Sequence, residues 1–190
     1  MTVDEARTLM EEWTANPALR VHMEAVAACM GAYARRLAPD EHDRWVVAGL
    51  LHDFDYERHP STAEHPFVGV EHLRARGVDD EILAAILGHA EYSGTPRVSA
   101  MARALFAVDE LAGFIVACVK VRPNGIADLA AKSVVKKLGD KAFAAAVSRG
   151  DIRRGIEELG VERNEHIETC IAAVRAEAAR LGLDVVRAAS

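Results

Sequence analysis

Four polar side chains stand where the surrounding helical pattern is apolar. His52 and Asp53 close the apolar run of residues 45–51, His22 begins an earlier apolar stretch, and Asp109 lies within a later one. An unpaired charge on an apolar helix face is costly. A salt bridge or a cap would satisfy Asp109 alone, whereas a divalent cation would compensate several such groups at once.

Helices that bury their apolar faces against one another would bring these four side chains toward one bundle interior. Two imidazoles and two carboxylates form a mixed nitrogen and oxygen set, which suits Mn, Fe, Co, Ni or Zn. The set contains no thiolate, and this argues against a closed structural zinc site. The residues therefore predict an open, catalytic metal centre.

The sequence around a histidine decides whether it can be interpreted as a metal ligand, because a lone histidine is more often a hydrogen-bonded core residue. A second His-Asp pair, His42-Asp43, lies in the charged stretch 39-PDEHDR-44, which is typical of a solvated helix start. His89 instead follows the apolar residues Ala85 and Ile86 near the end of a helical stretch. Polar residues that end consecutive apolar helices favour convergence on one site.

The elements that must position these residues are helices. Aromatic residues make up only 5% of the 190-residue chain, and runs such as 171-IAAVRAEAAR-180 are rich in alanine, so we predict an all-α fold. The periodicity places helices at about 17–37, 40–51, 65–77, 79–87, 98–121, 126–138, 140–158 with a break near Gly150, and 162–182. We expect a metal-binding core over residues 1–125 and a helical extension over 126–190 packed on it.

Charge and cysteine content narrow the functional classes. The net charge of −6, from 23 basic and 29 acidic residues, makes bulk binding of nucleic acid unfavourable. Cys29, Cys118 and Cys170 are widely spaced in apolar helical pattern, which provides neither a disulfide framework nor a CxxC site. The start of the chain is acidic and the longest apolar run, 111–119, is too short to span a bilayer. We therefore expect a soluble, cytoplasmic protein without a membrane partner; its oligomeric state stays open.

The order of the polar residues resembles the HD superfamily of metal-dependent phosphohydrolases over roughly residues 17–121. The matching stretches are 22-HMEAV-26, 49-GLLHDFD-55, 65-HPFVG-69, 87-LGHAEYSG-94 and 105-LFAVDELAG-113. The resemblance implies an HD-domain helical bundle with additional C-terminal helices. It also implies that one metal ion is held by His22, His52, Asp53 and Asp109, and that Asp53 bridges to a second ion held also by His65 and His89. Mn or Fe would be the foremost metals, with Mg, Co, Ni or Zn as alternatives.

Departures from the better-known branches restrict the substrate. Ala90 stands where HD-GYP phosphodiesterases carry a second adjacent histidine, and Gly94-Thr95-Pro96 is not their GYP motif. Phe54-Asp55 replaces the Ile-Gly that often follows the His-Asp pair, and Tyr56-Glu57 does not match the HDxxED pattern of alarmone hydrolases. The chain is most similar to small predicted HD hydrolases of the binuclear branch.

His65 competes with His59 for the second metal position. Only His65 has a glycine four residues on, Gly69, where a missing side chain would let another backbone or a ligand approach. The alternative is that His65 merely precedes Pro66, because proline often starts helices without any functional role. We favour His65.

The resemblance implies hydrolysis of a phosphate ester or anhydride in a small phosphorylated metabolite or nucleotide. Two divalent ions would activate a shared water and neutralise the phosphoryl oxygens, with Asp53 and Asp109 as the catalytic carboxylates. Arg97, Lys120 and Lys136 are candidates for the substrate phosphate, although the lysine spacing is also typical of a solvated face.

Two alternatives stay open, a di-iron oxygenase similar to myo-inositol oxygenase and a non-catalytic HD-like interaction module. The C-terminal third carries no chemistry that we recognise. We expect His166, in the charged stretch 162–168, to be exposed, and the amphipathic segment 167–181 to cap the pocket or form a subunit interface.

Overall fold

A computed structural model describes residues 1–184, and in this range the chain forms ten α-helices and no strand. The helices are α1 (Val3–Trp13), α2 (Pro17–Leu37), α3 (His42–Leu51), α4 (Phe67–Ala75), α5 (Asp80–His89), α6 (Ala100–Lys120), α7 (Ala131–Leu138), α8 (Arg149–Leu159), α9 (Arg163–Ala176) and α10 (Ala178–Leu181). The all-α prediction is confirmed. Across residues 1–184 the structure has no helix with both the length and the hydropathy that a bilayer crossing needs.

The central element is α6, which is buried along most of its length and packs against α2, α5, α8 and α9. Helices from the C-terminal part of the chain thus rest directly on the core. The three cysteines are buried and unpaired, as their apolar surroundings predict. The division of the chain at residue 125 stays a prediction.

Two glycines bring helix backbones unusually close together. A Cβ at Gly49 of α3 would lie 2.6 Å from the Cα of Ala27 on α2, and one at Gly155 of α8 would lie 2.6 Å from the Cα of Ala107 on α6. Such distances leave no room for a side chain, so these crossings require glycine. The first contact draws the end of α3 against α2, and the second holds α8 against α6.

Helix α1 is an element that the periodicity does not predict. It begins with a capping box, in which the Thr2 hydroxyl accepts from the Glu5 backbone N–H and the Glu5 carboxylate accepts from the Thr2 N–H. Its Arg7 forms an ion pair of 2.7 Å with the buried Glu24 of α2. The Thr-x-x-Glu spacing is the sequence signal for this helix.

The segment between α6 and α8 is less helical than its composition predicts. α7 begins at Ala131 rather than near residue 126, and the break predicted near Gly150 instead spans residues 139–148. Arg175 of α9 donates to the Leu129 carbonyl, and Arg149 donates to carbonyls of the 140–147 turns. Arginine side chains from elsewhere thus satisfy backbone groups that a longer helix would have paired internally.

His166 is fully buried, so the prediction that it is exposed is wrong. Its Nδ1 accepts from the Tyr33 hydroxyl at 2.5 Å, and its Nε2–H donates to the Ala107 carbonyl at 3.0 Å. Burial lowers the pKa of His166, which keeps the imidazole neutral between α2, α6 and α9.

Replacing Tyr33 with Phe should lower the free energy of unfolding by about 1–3 kcal/mol, because Nδ1 of His166 would stay buried without a donor. Chemical denaturation measures the effect. Tyr92→Phe is the matched control, since Tyr92 is half exposed and should change stability by less than about 0.5 kcal/mol. Equal stability of the Tyr33 variant and the native protein would contradict a structural role for this hydrogen bond.

Candidate metal centre

The four residues singled out by the apolar pattern meet where α2, the end of α3 and α6 approach one another. Nε2 of His22 lies 3.1 Å from Nε2 of His52 and 3.0 Å from Oδ1 of Asp109. Nε2 of His52 lies 3.3 Å from the same Asp109 oxygen. The Asp53 oxygen Oδ2 completes the group at 3.6 Å from His22 and 3.5 Å from His52.

The other oxygen of Asp53 faces a second pair of imidazoles. Oδ1 lies 3.3 Å from Nε2 of His65 and 3.3 Å from Nε2 of His89, and these two nitrogens are 3.3 Å apart. His59 is not part of this group, because its Nδ1 lies beside Glu64 at 3.2 Å. Asp53 therefore belongs to two trios of side chains: His22, His52 and Asp53 meet at Oδ2, and Asp53, His65 and His89 meet at Oδ1.

Hydrogen bonds on the far side of the rings orient three of the four histidines. Nδ1 of His52 lies 2.8 Å from the Gly49 carbonyl, and Nδ1 of His89 contacts the Ile86 carbonyl. Both acceptors lie in the last turn of a helix, where carbonyls lack helical partners. A carbonyl can only accept, so a hydrogen sits on Nδ1, and in the neutral ring the Nε2 lone pair faces the centre.

His65 obtains the same orientation from a side chain. Its Nδ1 lies 2.8 Å from Oδ1 of Asp55, whose Oδ2 accepts the Gly69 backbone N–H at 2.7 Å. A Cβ at Gly69 would lie 2.7 Å from the Asp55 carboxyl carbon, so glycine is required for this approach. Asp55 was not predicted as a site residue; the signal for it was a carboxylate two positions after Asp53.

Opposite charges compensate one another in this cluster. Burial favours neutral His52, but the charges of Asp53 and Asp109 raise its pKa well above the usual value. Burial also opposes protonation of His65, yet hydrogen bonds to Asp53 and Asp55 raise its pKa to about 9. Burial alone would raise the pKa of Asp53 and Asp109, but the neighbouring His52 lowers the pKa of both carboxyl groups below the usual value. The carboxylates thus favour protonation of His52 and His65, a compensation that a cation would otherwise supply.

The donor set fits divalent metal ions. The ligand atoms of His22, His52 and Asp53 lie within 4.8 Å of one another, as do those of Asp53, His65 and His89. Unprotonated ring nitrogens that face each other at 3.1–3.3 Å repel unless a proton or a cation lies between them. Nitrogen and oxygen donors without sulfur match the metals that the sequence predicts.

A cavity of about 300 Å³ opens onto this cluster. Its lining residues are His22, Asp53, Tyr56, His65, His89, Ala90, Glu91, Tyr92, Asp109, Glu110 and Asp151. Burial and the neighbouring charge of Asp109 raise the pKa of Glu110 to about 7. Among the residues that the structure describes, the lining outside the three histidines is mostly acidic, with two tyrosines, and contains no lysine or arginine. Glu91, Glu110 and Asp151 are lining residues that sequence reasoning missed, since nothing in their local pattern sets them apart.

The three basic candidates for the substrate phosphate do not line this cavity. Arg97 has its guanidinium bound to Glu158, Glu91 and the Gly88 carbonyl, and stacked 3.7 Å above the ring of Phe106. Lys120 lies at the end of α6, about 16 Å along the helix from Asp109. Lys136 is exposed on α7.

Comparisons with known proteins agree with this geometry. A family model described as HD domain matches residues 20–113, a stretch that contains all six side chains of the two trios and Asp109. No curated protein and no solved structure matches the chain significantly. Helices α7 to α10 lie beyond the matched segment.

Replacing Asp53 with Ala should abolish metal binding, because Asp53 is shared by both trios, and replacing His52 with Ala should remove the ion of its own trio, each with a modest change in helical content. Elemental analysis and circular dichroism measure the two effects. His42→Ala is the matched control, since His42 lies about 15 Å away at the other end of α3 and pairs with Asp43. Full metal occupancy in both site variants would show that these residues are not ligands.

Metal affinity should rise with pH. A metal ion needs the unprotonated ring nitrogen, and His65, with a pKa of about 9, carries a proton below that pH. The apparent affinity should increase about tenfold per pH unit for each proton displaced between about pH 6 and 8. Calorimetry in buffers of different ionisation enthalpy measures the released protons. An affinity that does not change over this range would contradict the proton-compensated cluster.

Proposed function

The chain belongs to the HD superfamily through the domain at residues 20–113, and we propose that it is a metal-dependent phosphohydrolase with two divalent ions per chain. The observation that carries the proposal is Asp53, whose two carboxylate oxygens each face a separate pair of imidazoles. A bridging carboxylate between two such groups is suited to a pair of ions that act on one phosphoryl group.

The six side chains of the cluster would hold the two ions as two sets that share Asp53. His22, His52 and Asp109 would hold one ion, His65 and His89 the other, and Asp53 both. Bound divalent ions supply Lewis acidity, which lowers the pKa of water and neutralises charge on phosphoryl oxygens. The hydrogen bonds at Nδ1 fix the direction of the His52, His65 and His89 rings, so these nitrogens need not reorganise when the ions bind.

The lining of the cavity favours a substrate with one phosphoryl group. With no lysine or arginine among the described lining residues, the ions must compensate the phosphate charge. Further phosphates would extend toward Glu91, Glu110 and Asp151. Arg97 and Arg154 already neutralise Glu91, whereas Glu110 is bound only by the Ser148 backbone N–H. We therefore propose a small phosphomonoester rather than a nucleoside triphosphate as the substrate.

Metal content and hydrolysis test this proposal together. Protein purified without chelators should contain about two ions per chain, and a His65→Ala/His89→Ala variant about one. With Mn²⁺, the native protein should hydrolyse p-nitrophenyl phosphate faster than it releases phosphate from ATP, and the double variant should lose at least about tenfold in rate, because one of the two ions is missing.

His59→Ala serves as the control, since His59 lies outside both trios and should leave metal content and rate unchanged. No metal after supplementation with Mn or Fe would contradict the proposal and favour an interaction module. Iron as the dominant metal, with oxygen consumption instead of phosphate release, would favour the oxygenase.

A further inference from the structure

Of the three histidines whose Nδ1 is hydrogen-bonded, one is oriented differently from the other two. His52 and His89 are residues at helix ends that bond to backbone carbonyls, whereas His65 lies in the turn before α4 and bonds to the side chain of Asp55. Asp55 is only 1% exposed, and its two oxygens are used by His65 and by the Gly69 N–H. The direction of the His65 ring thus depends on a carboxylate that does not itself face the cavity.

We propose that Asp55 is a positioning residue that fixes the hydrogen of His65 on Nδ1, and that the ion between Asp53, His65 and His89 depends on it. This inference rests on the proposed two-ion function. It assigns a role to a residue of this chain that touches neither the substrate nor the metal. The matched family segment contains Asp55, but the Phe54-Asp55 dipeptide is one of the points at which the chain departs from the usual pattern.

The argument depends on which atoms can accept a hydrogen bond. Gly69 N–H can only donate, so it requires an acceptor on the residue at position 55. An ionised carboxylate offers acceptors on both oxygens and can serve Gly69 and His65 together. Asp55 therefore admits only the form of His65 in which Nδ1 donates, and in the neutral ring this leaves the Nε2 lone pair free.

Asparagine at position 55 has nearly the same shape but only one acceptor oxygen. If that oxygen keeps the Gly69 bond, the amide NH₂ faces Nδ1 of His65 and turns it into an acceptor. The ring hydrogen then moves to Nε2, which points at the metal position and can no longer ligate. A single change from oxygen to NH₂ thereby acts as a tautomer switch, with little loss of packing.

Asp55→Asn should retain the ion held by His22, His52 and Asp109 and bind the second ion about 10–100-fold more weakly. Calorimetric titration of the metal-free protein with Zn²⁺ measures both affinities without any need for turnover. Asp43→Asn is the matched control, because Asp43 also contacts Nδ1 of a histidine, His42, at 3.0 Å, but on the exposed start of α3. The control should bind both ions with native affinity.

Nitrogen NMR of the zinc-loaded native protein keeps the inference testable even if Asp55→Asn does not fold. The spectrum should show His65 bound to zinc through Nε2 with a hydrogen on Nδ1. Ligation through Nδ1, or an Asp55→Asn variant with two ions of native affinity, would overturn the inference. A purely structural role for Asp55 would lower the unfolding midpoint but leave the second ion and the His65 tautomer unchanged.

Failure of the proposed function has a different signature. If the native protein binds fewer than two ions, or binds two and hydrolyses no phosphomonoester, the two-ion hydrolase is contradicted whatever the Asp55 variant does. If the native protein binds two ions and Asp55→Asn also retains both tightly, only the positioning role of Asp55 is contradicted.

Discussion

The carboxylate of Asp53 is a largely buried charge that four imidazoles approach within 3.3–3.6 Å. A charge in such a place must be compensated, and the compensating groups arrive from separate elements: α2, the turn after α3, the turn before α4, and the end of α5. Because each element contributes one side chain to the same carboxylate, their relative positions are tightly constrained. The close crossing of Gly49 and Ala27, which draws α3 against α2, belongs to this constraint.

The hydrogen bonds behind the imidazoles extend the same constraint outward. His52 and His89 each bind a carbonyl of their own helix, so their ring directions follow from where α3 and α5 end. His65 lies outside a helix, and its ring is oriented by the carboxylate of Asp55. That carboxylate accepts the Gly69 N–H and lies too close to Gly69 for any side chain there. Ligand direction is therefore determined by a helix end for His52 and for His89, which face opposite oxygens of Asp53, and by a buried carboxylate for His65.

The sequence predicts this centre well where a polar residue occupies a helix position that the periodicity assigns to an apolar one. His22, His52, Asp53 and Asp109 interrupt apolar helical stretches, and the structure brings all four together. His89 also ends an apolar helical stretch, but its role as a ligand, like that of His65, follows from the family resemblance. Asp55 could not be assigned in advance, since its role depends on a turn that returns ten residues later to place His65 against it.

His166 shows why local charge can mislead. Its neighbours along the chain are charged, but on a helix its face is set by residues three and four positions away, and Cys170 and Val174 continue that face as buried residues. The segment 126–148 shows the opposite difficulty. Its residues suit a helix, yet on either side of α7 the carbonyls are satisfied in a non-helical form by Arg149 and Arg175, which come later in the chain.

The contact between Gly155 and Ala107 has a consequence for how this protein can diversify. It holds α8 so close to α6 that Asp151, which lies outside the segment matched by the family, becomes part of the cavity wall. The cavity wall is therefore built from two parts of the chain, the segment matched by the family and helix α8 beyond it. Substitutions on α8 can therefore change the wall of this cavity while the histidines and aspartates of the cluster stay the same.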